Sequence, residues 1–299
     1  MRFVLDAEQR MFGRTLDRLL AGSATADAAR AWAAGDPGPG RALWASVAGA
    51  GVFALAVPEE HGGAGTLPVE LVVALEVLGQ HAMPGPVVET LAAAELLGRL
   101  GGTAAADWLP AVAEGKAAVS LALPPAVPYA LDADTAELVL TAGGTVRSAT
   151  AGARPVAPSL DPARRLFEAV PGVPLASGEV ARAASEAAFD LGALLCAAQQ
   201  LGLARALLEV SVSYARTREQ FGRPIGEFQA VKHRLARALV ELEFARPLLF
   251  GAALAYGTPG FGRDVSAAKA AASDAAYATA RTALQVHGAI GYTDEYDPS

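Results

Sequence analysis

Two short segments hold the residues best suited to chemistry. In Tyr214-Ala-Arg-Thr-Arg-Glu-Gln-Phe-Gly-Arg-Pro-Ile-Gly-Glu-Phe-Gln229 a long helical pattern ends, the chain turns on Gly222 and Pro224, and another helix begins near Glu227. Arg218 at that helix end can donate a pair of charge-assisted hydrogen bonds to a pyrophosphate. Phe221 offers a flat apolar surface, and Gln229 an amide that both donates and accepts. An arginine at a helix terminus is more often solvated or capping, so this segment alone leaves both readings open. The second segment, Ala283-Leu-Gln-Val-His-Gly-Ala-Ile-Gly-Tyr292, places Gln285 in a last helical turn with Gly288 and Gly291 at the exit. Glycine lets a backbone approach a ligand closely, and it is equally an ordinary helix C-cap.

Other reactive side chains are more isolated. His61, His81, His233 and His287 are dispersed and have no cysteine beside them, so no metal site is expected. His233 follows Gln229 by one helical turn and can approach a phosphate or ribose, although a structural role is favoured. The single cysteine, Cys196, sits in an apolar stretch and reads as a small buried hydrophobe. Asp294, Glu295 and Asp297 cluster near the C-terminus. Glu295 is the one candidate there for a catalytic base, against the preferred reading of a solvated tail. Glu186, near the start of a long helix, suits the helix dipole. Glu241 and Glu243 among Arg237 and Arg246 read as salt-bridged helix surface.

These residues must be positioned by mainly helical elements. Alanine and leucine dominate, and apolar positions recur at helical spacing over Ala7–Leu20, Gly40–Gly51, Pro68–Gln80 and Pro86–Leu100. Between Ala117 and about Val180 short apolar runs, 118–123, 136–141 and 166–170, read as strands. Helical periodicity then returns over Ser185–Thr217, with Ser185 as a cap, over Glu227–Tyr256, and over Asp264–His287, with Asp264 as a cap. The expected organisation is an N-terminal helical domain (1–116), a reduced β domain (117–180) and a C-terminal four-helix-type bundle (181–299). A formal charge of -7 with lysine and arginine scattered singly excludes a nucleic-acid footprint. No basic leader and no uncharged run of eighteen apolar residues is evident, so a cytoplasmic protein with no membrane span is expected.

Taken together, the two segments resemble the acyl-CoA dehydrogenase family. There an Arg-x-x-Phe-Gly turn, a glutamine seven residues after that glycine, and a Gln-x-x-Gly-Gly-x-Gly turn recur together. Val57-Pro-Glu-Glu-His-Gly-Gly-Ala-Gly65, Glu76-Val-Leu-Gly79, Leu109-Pro-Ala-Val-Ala-Glu-Gly115 and Ser159-Leu-Asp-Pro-Ala-Arg-Arg-Leu166 extend the likeness over nearly the whole chain. The resemblance implies an acyl-CoA dehydrogenase-like fold. It also implies that Arg218, Phe221, Gln229, Gln285 and Gly288 hold the ADP half of an FAD whose ring lies mostly on a neighbouring subunit. Ala289 departs from the pattern, standing where the family usually has its second glycine.

The family's reaction needs a carboxylate to remove the α-proton of an acyl-CoA and a β domain to line the flavin that takes the hydride. Aligned on the motifs, Gly192 occupies one of the family's two positions for the glutamate base, and the chain stops before the other. Leu121-Ala-Leu-Pro-Pro125 replaces a flavin-lining Thr-Glu-Pro. The likeness is therefore to the shorter subunit of a heteromeric α2β2 bacterial enzyme, completed by a larger acyl-CoA dehydrogenase subunit and serving bulky thioesters such as steroid side chains. The rival expectations are a self-sufficient homo-oligomer with a relocated base such as Glu295, and an assembly scaffold without catalysis.

Overall fold

The computed structural model describes residues 4–156 and 159–293. Six α-helices come first among the described residues: α1 (Ala7–Ala21), α2 (Thr25–Ala33), α3 (Gly38–Gly49), α4 (Pro68–Gln80), α5 (Val87–Leu100) and α6 (Gly102–Ala113). Asp6 starts α1 with a reciprocal cap, accepting from Gln9 N at 2.8 Å while the Gln9 side chain accepts from Asp6 N at 3.1 Å. Helices α4 and α5 are apolar on most of their circumference and form the centre of the core. Sequence periodicity missed α2, a short helix that buries only Ala28 and Trp32, and α6, which carries Pro110 in its interior. Burial of Ala105, Leu109 and Val112 holds α6 in helical form despite the lost backbone donor.

The middle of the chain forms one five-stranded sheet in the order β1 (Val119–Ala122), β3 (Leu138–Thr141), β4 (Thr145–Pro155), β5 (Leu166–Ser177), β2 (Tyr129–Leu131). β1 and β3 run parallel and the other pairs antiparallel. Each of the three anticipated runs contains a strand, but β5 extends to Ser177, and β2 and β4 were not anticipated. The β4–β5 ladder is irregular, with register shifts, and much of β5 is exposed, so little of the alternation that betrays a half-buried strand is written there. Thr90 of α5 accepts from Val119 N at 2.9 Å and donates to Val119 O at 3.1 Å, which satisfies the backbone of β1 from the helical layer.

Three long helices complete the fold: α7 (Glu179–Thr217), α8 (Gln229–Leu254) and α9 (Phe261–His287). They pack on one another, and α4 lies against α7 and α8 as the fourth member of the bundle. Two expected caps are corrected. Helix α7 begins at Glu179, so Ser185 lies inside it, buried, with its hydroxyl shared between Ala181 O at 2.7 Å and Gly143 O at 3.1 Å. Helix α9 begins at Phe261, which leaves Asp264 in the first turn without a capping hydrogen bond. Helix α7 is long and apolar enough to cross a membrane by length and composition, yet it packs against α4, α5, α8 and α9.

Arg246 is also reassigned. It reaches from α8 to α4 and pairs with both oxygens of Glu76 at 2.9 and 3.1 Å, a fork-shaped contact between helices, while Glu243 pairs with Arg205 of α7 at 3.0 Å. Arg237 and Glu241 remain an i,i+4 pair on α8. On α5, the buried carboxylate of Glu95 accepts from Arg99 Nε at 2.7 Å and from Tyr256 Oη at 2.8 Å, which anchors the end of α8 to the N-terminal layer.

The crossing of α4 and α7 is set by two glycines. A Cβ on Gly202 of α7 would lie 1.9 Å from Glu76 O, and one on Gly79 of α4 would lie 2.1 Å from Gln199 O. Backbone therefore meets backbone, and neither helix can carry a side chain there. Gly202→Ala is expected to lower unfolding free energy by about 3 kcal/mol in denaturant titration. Gly192→Ala on the same helix, where the Cβ would meet only Ala92 Cβ at 3.4 Å, should be neutral or stabilising by up to about 1 kcal/mol.

Candidate functional site

Helix α7 ends at Thr217. Arg218 follows in extended conformation, its N–H donating to Tyr214 O and its carbonyl accepting from Ile225 N, both at 2.8 Å. Within that loop β6 (Glu219–Gln220) pairs with β7 (Arg223–Pro224) around Phe221-Gly222. The two central residues have φ of 55° and 77°, the combination whose twist matches a two-residue hairpin. The turn thus lies on Phe221-Gly222, with Pro224 in the returning strand rather than in the turn. Gly222 adopts this conformation freely, whereas Phe221 does so at a cost of about 1 kcal/mol. The Phe221 side chain is 91% exposed at the tip. Gly226 lets the loop lie on α7, since a Cβ there would come within 2.8 Å of Ala215 O. A 3-10 turn, Ile225–Glu227, precedes α8, so Gln229 is the first residue of that helix.

At the exit of α9, Gln285 is exposed in the last turn, and Gly288 ends the helix with φ 64° and ψ -136°, its N–H donating to Leu284 O. His287 is buried, with Nδ1 donating to Ala283 O at 2.8 Å. The Tyr214 ring lies 4.6 Å from the His287 ring, centroid to centroid. That contact fastens the end of α7 to the end of α9 and brings both sequence motifs to one end of the bundle. Sequence reasoning singled out neither Tyr214 nor Gly226 as a positioning residue; their role exists only in the packed helices.

The five residues expected to hold a nucleotide, Arg218, Phe221, Gln229, Gln285 and Gly288, are all exposed there. The first turn of α8 has no side-chain cap, and while the Val231 and Lys232 amides donate to Phe228 O at 3.1 Å, those of Gln229 and Ala230 remain as donors at the helix start. This donor set suits a pyrophosphate. Arg223 stacks its guanidinium 4.2 Å from the centre of the Phe228 ring, which stiffens the base of the hairpin. His233 is exposed on the same helix.

Carboxylates near the expected chemistry are placed as follows. Gly192 faces α5 with only Ala92 Cβ close to it. Asp190, one residue from Leu191, is partly buried, and its carboxyl is pushed up by burial and by Glu186. Its oxygens press against the start of α9, where a Cβ on Gly262 would come within 2.7 Å of Oδ2. Glu186 lies beyond the first turn of α7 and pairs with Arg182 at 2.6 Å, so it does not serve the helix start as expected. Burial pushes the Cys196 thiol up, against the fields of Lys269 and Arg164, which keeps it protonated. Glu295, with Asp294 and Asp297, lies outside the described residues. After β1 the chain passes through an exposed turn containing a cis Pro124-Pro125 bond, and Leu121–Pro125 contains no hydroxyl or carboxylate.

An N-terminal helical layer, a small sheet and a C-terminal bundle of long helices make up the acyl-CoA dehydrogenase architecture. Residues 6–116 match the acyl-CoA dehydrogenase N-terminal domain, and residues 181–299 match the acyl-CoA dehydrogenase C-terminal domain. The chain is 37% identical over 294 residues to the acyl-CoA dehydrogenase IpdE2 of Mycobacterium tuberculosis, spanning 97% of this chain and 88% of that protein. A solved structure described as the Tcur3481-Tcur3483 steroid ACAD G363A variant superposes with a TM-score of 0.81 at 27% identity, covering 97% of this chain and 89% of that one. The ChsE4-ChsE5 complex from Mycobacterium tuberculosis shares the fold, with a TM-score of 0.81 at 24% identity over 100% of this chain and 91% of the other. The chain belongs to the acyl-CoA dehydrogenase family, whose members are FAD-dependent oxidoreductases.

Gly288 sits in a backbone region that residues with a Cβ avoid. Gly288→Ala is expected to lower stability by about 2 kcal/mol, read as a shift of the denaturant midpoint, because the substitution strains the α9 exit even though the Cβ itself meets open space.

Proposed function

We propose that this chain is a subunit of a heteromeric acyl-CoA dehydrogenase and supplies the ADP-side half of an FAD site to a larger partner subunit that carries the catalytic glutamate. The observation that carries the reading is the placement of both motifs on one exposed end of the bundle; the resemblance that aligns Gly192 with a family base position supports it. Arg218, Phe221, Gln229 and Gln285 are all exposed, which leaves the site to be completed by another subunit; the missing base favours a partner different from this chain over a second copy of it.

In this reading the Arg218 guanidinium and the first amides of α8 hold the pyrophosphate. Phe221 lays its ring against an apolar face of the nucleotide, and Gln229 and Gln285 fix its polar edges. The backbone at Gly288 allows close approach. FAD, when bound, supplies the hydride-accepting ring, and this chain orients it without moving a proton. The substrate is an acyl-CoA. A bulky, ring-bearing acyl group is favoured by the likeness to the steroid enzyme and by the lack of a flavin-lining Thr-Glu-Pro loop, which leaves space. We further infer an α2β2 assembly in the cytoplasm.

The test is co-expression with the larger subunit and measurement of flavin per complex. Arg218→Ala with Gln285→Ala is expected to weaken FAD retention at least 100-fold, given about 1.5–3 kcal/mol for a charge-assisted hydrogen bond. Phe221→Asn, which keeps the left-handed turn, should weaken it less. Undiminished flavin in the double variant would remove the shared-site reading. A chain that is yellow when expressed alone and reduces a dye with acyl-CoA would establish the self-sufficient alternative.

A further inference from the structure

One buried polar cluster has no part in the proposed cofactor site. It lies where α2, the end of β2 and the start of β5 meet. Asp132 is fully buried, with a left-handed φ of 50°. Its N–H donates to Arg165 O at 2.7 Å, and its Oδ1 accepts from Arg165 N at 3.1 Å. Thr135 returns both its N–H and its hydroxyl to Asp132 O, at 3.0 and 2.9 Å. The loop is thus tied to β5 by backbone on both sides of the carboxyl.

The Arg165 guanidinium is engaged elsewhere. It donates to Trp32 O of α2 through Nη1 and to Asp134 Oδ1 at 3.1 Å through Nη2, and its centre lies 5.5 Å from the Trp32 ring. Its distance to Asp132 Oδ1 is 3.8 Å. Three buried polar atoms are left with no hydrogen-bond partner among the described residues: Asp132 Oδ2, Trp32 Nε1 and Arg165 Nε. The Trp32 ring cannot swing away, since Gly40 of α3 is packed so closely on it that a Cβ there would come within 2.4 Å.

The other charges around this site come from each neighbouring element. Asp134 and Glu137 lie on the β2–β3 loop, Arg164 and Arg165 precede β5, and Glu89 of α5 pairs with Arg164 at 3.7 Å. Arg41 of α3 donates to Thr135 O and pairs with Glu137 at 2.8 Å. Among the described residues Arg165 is the one cation beside Asp132, and it shares its charge with Asp134; the Trp32 side chain also favours the anion, without a hydrogen bond of good geometry to Oδ2. An anion held there is costly, because the buried oxygen lacks the donors that water would give it.

We propose that Asp132 is a proton-operated latch between the sheet and the N-terminal helices: neutral, it lets the β2–β5 edge close on α2, and ionised, it loosens that edge. The edge matters because β2 follows directly on the exposed turn at Pro124–Pro128, which continues from Leu121–Pro125, the segment that by the resemblance replaces the family's flavin-lining Thr-Glu-Pro. Burial pushes the carboxyl up from its ordinary 3.8 to about 6, with Glu89 acting in the same sense and Arg165 and Trp32 against it. A closed-state value above the open-state value means that closure is tightest below about 4, weakens as pH rises from there through about 6, and stays weak above that.

Hydrogen exchange of the full chain, in the complex in which it purifies, tests the latch. After correction for intrinsic rates, protection of peptides covering 129–136 and 164–168 should fall about 20-fold between pH 4.5 and 6.5 relative to the same peptides in Asp132→Asn. Asp134→Asn releases Arg165 to pair with Asp132, so it should shrink that fall, and this variant carries the test if Asp132→Asn does not fold. An unchanged pH dependence in the variant examined, or a fall shared equally by peptides of α7, overturns the proposal.

Discussion

Backbone-to-backbone contact between α4 and α7 is the constraint from which the rest of the molecule follows. Gly79 and Gly202 are placed reciprocally, each with the other helix's carbonyl where its side chain would be. Helices that approach this closely exchange dispersion contacts along their length and fix their crossing tightly. With α7 seated on α4, its flanks are available to α5, α8 and α9, and the N-terminal layer and the bundle share one core. The fork between Arg246 and Glu76 and the buried Glu95 carboxylate add polar contacts that fix register, which apolar packing alone does weakly.

This arrangement makes α7 the spine that carries position from the core to the site. Its far end is held by the Tyr214–His287 ring contact and by the close approach at Gly226, so the hairpin bearing Phe221 and Arg218 starts from a rigid base. A rigid base permits a strained tip: a non-glycine residue at φ 55° is maintained only when its surroundings determine it. The ring at that tip meets the Phe228 ring edge-on and is otherwise exposed among the described residues, which agrees with a site finished by another subunit.

The buried polar groups fall into two kinds. Thr90, Ser120 and Glu95 have their hydrogen bonds made by backbone or by neighbouring side chains, and they join elements that stay joined. Asp132 is the contrast, because its arginine donates to Trp32 O and Asp134 rather than to it, and its second oxygen makes no hydrogen bond of good geometry among the described residues. The first kind specifies the fold; the second leaves a seam that responds to charge.

Sequence alone determined a good deal. Strong apolar periodicity located α1, α3, α4 and α5 and the three long C-terminal helices, because a helix that buries a wide face must write that face into its sequence. Residue type at fixed spacing singled out Arg218, Phe221, Gln229, Gln285 and Gly288, and the family resemblance pointed to the glycine at position 192. Four elements were not legible: α2 and β2 are short, α6 carries a proline inside its pattern, and β4 is irregular in register, while the start of α7 was misplaced because Ser185 has the chemistry of a cap but lies within the helix. Only the tertiary structure decided that two motifs separated by the whole of α8 and α9 share one end of the bundle and that Arg246 spans helices. It also decided that an aspartate in an unremarked loop is sealed beneath a tryptophan. Those facts depend on which surfaces meet across long stretches of chain, and local sequence carries no record of a contact made by its distant partner.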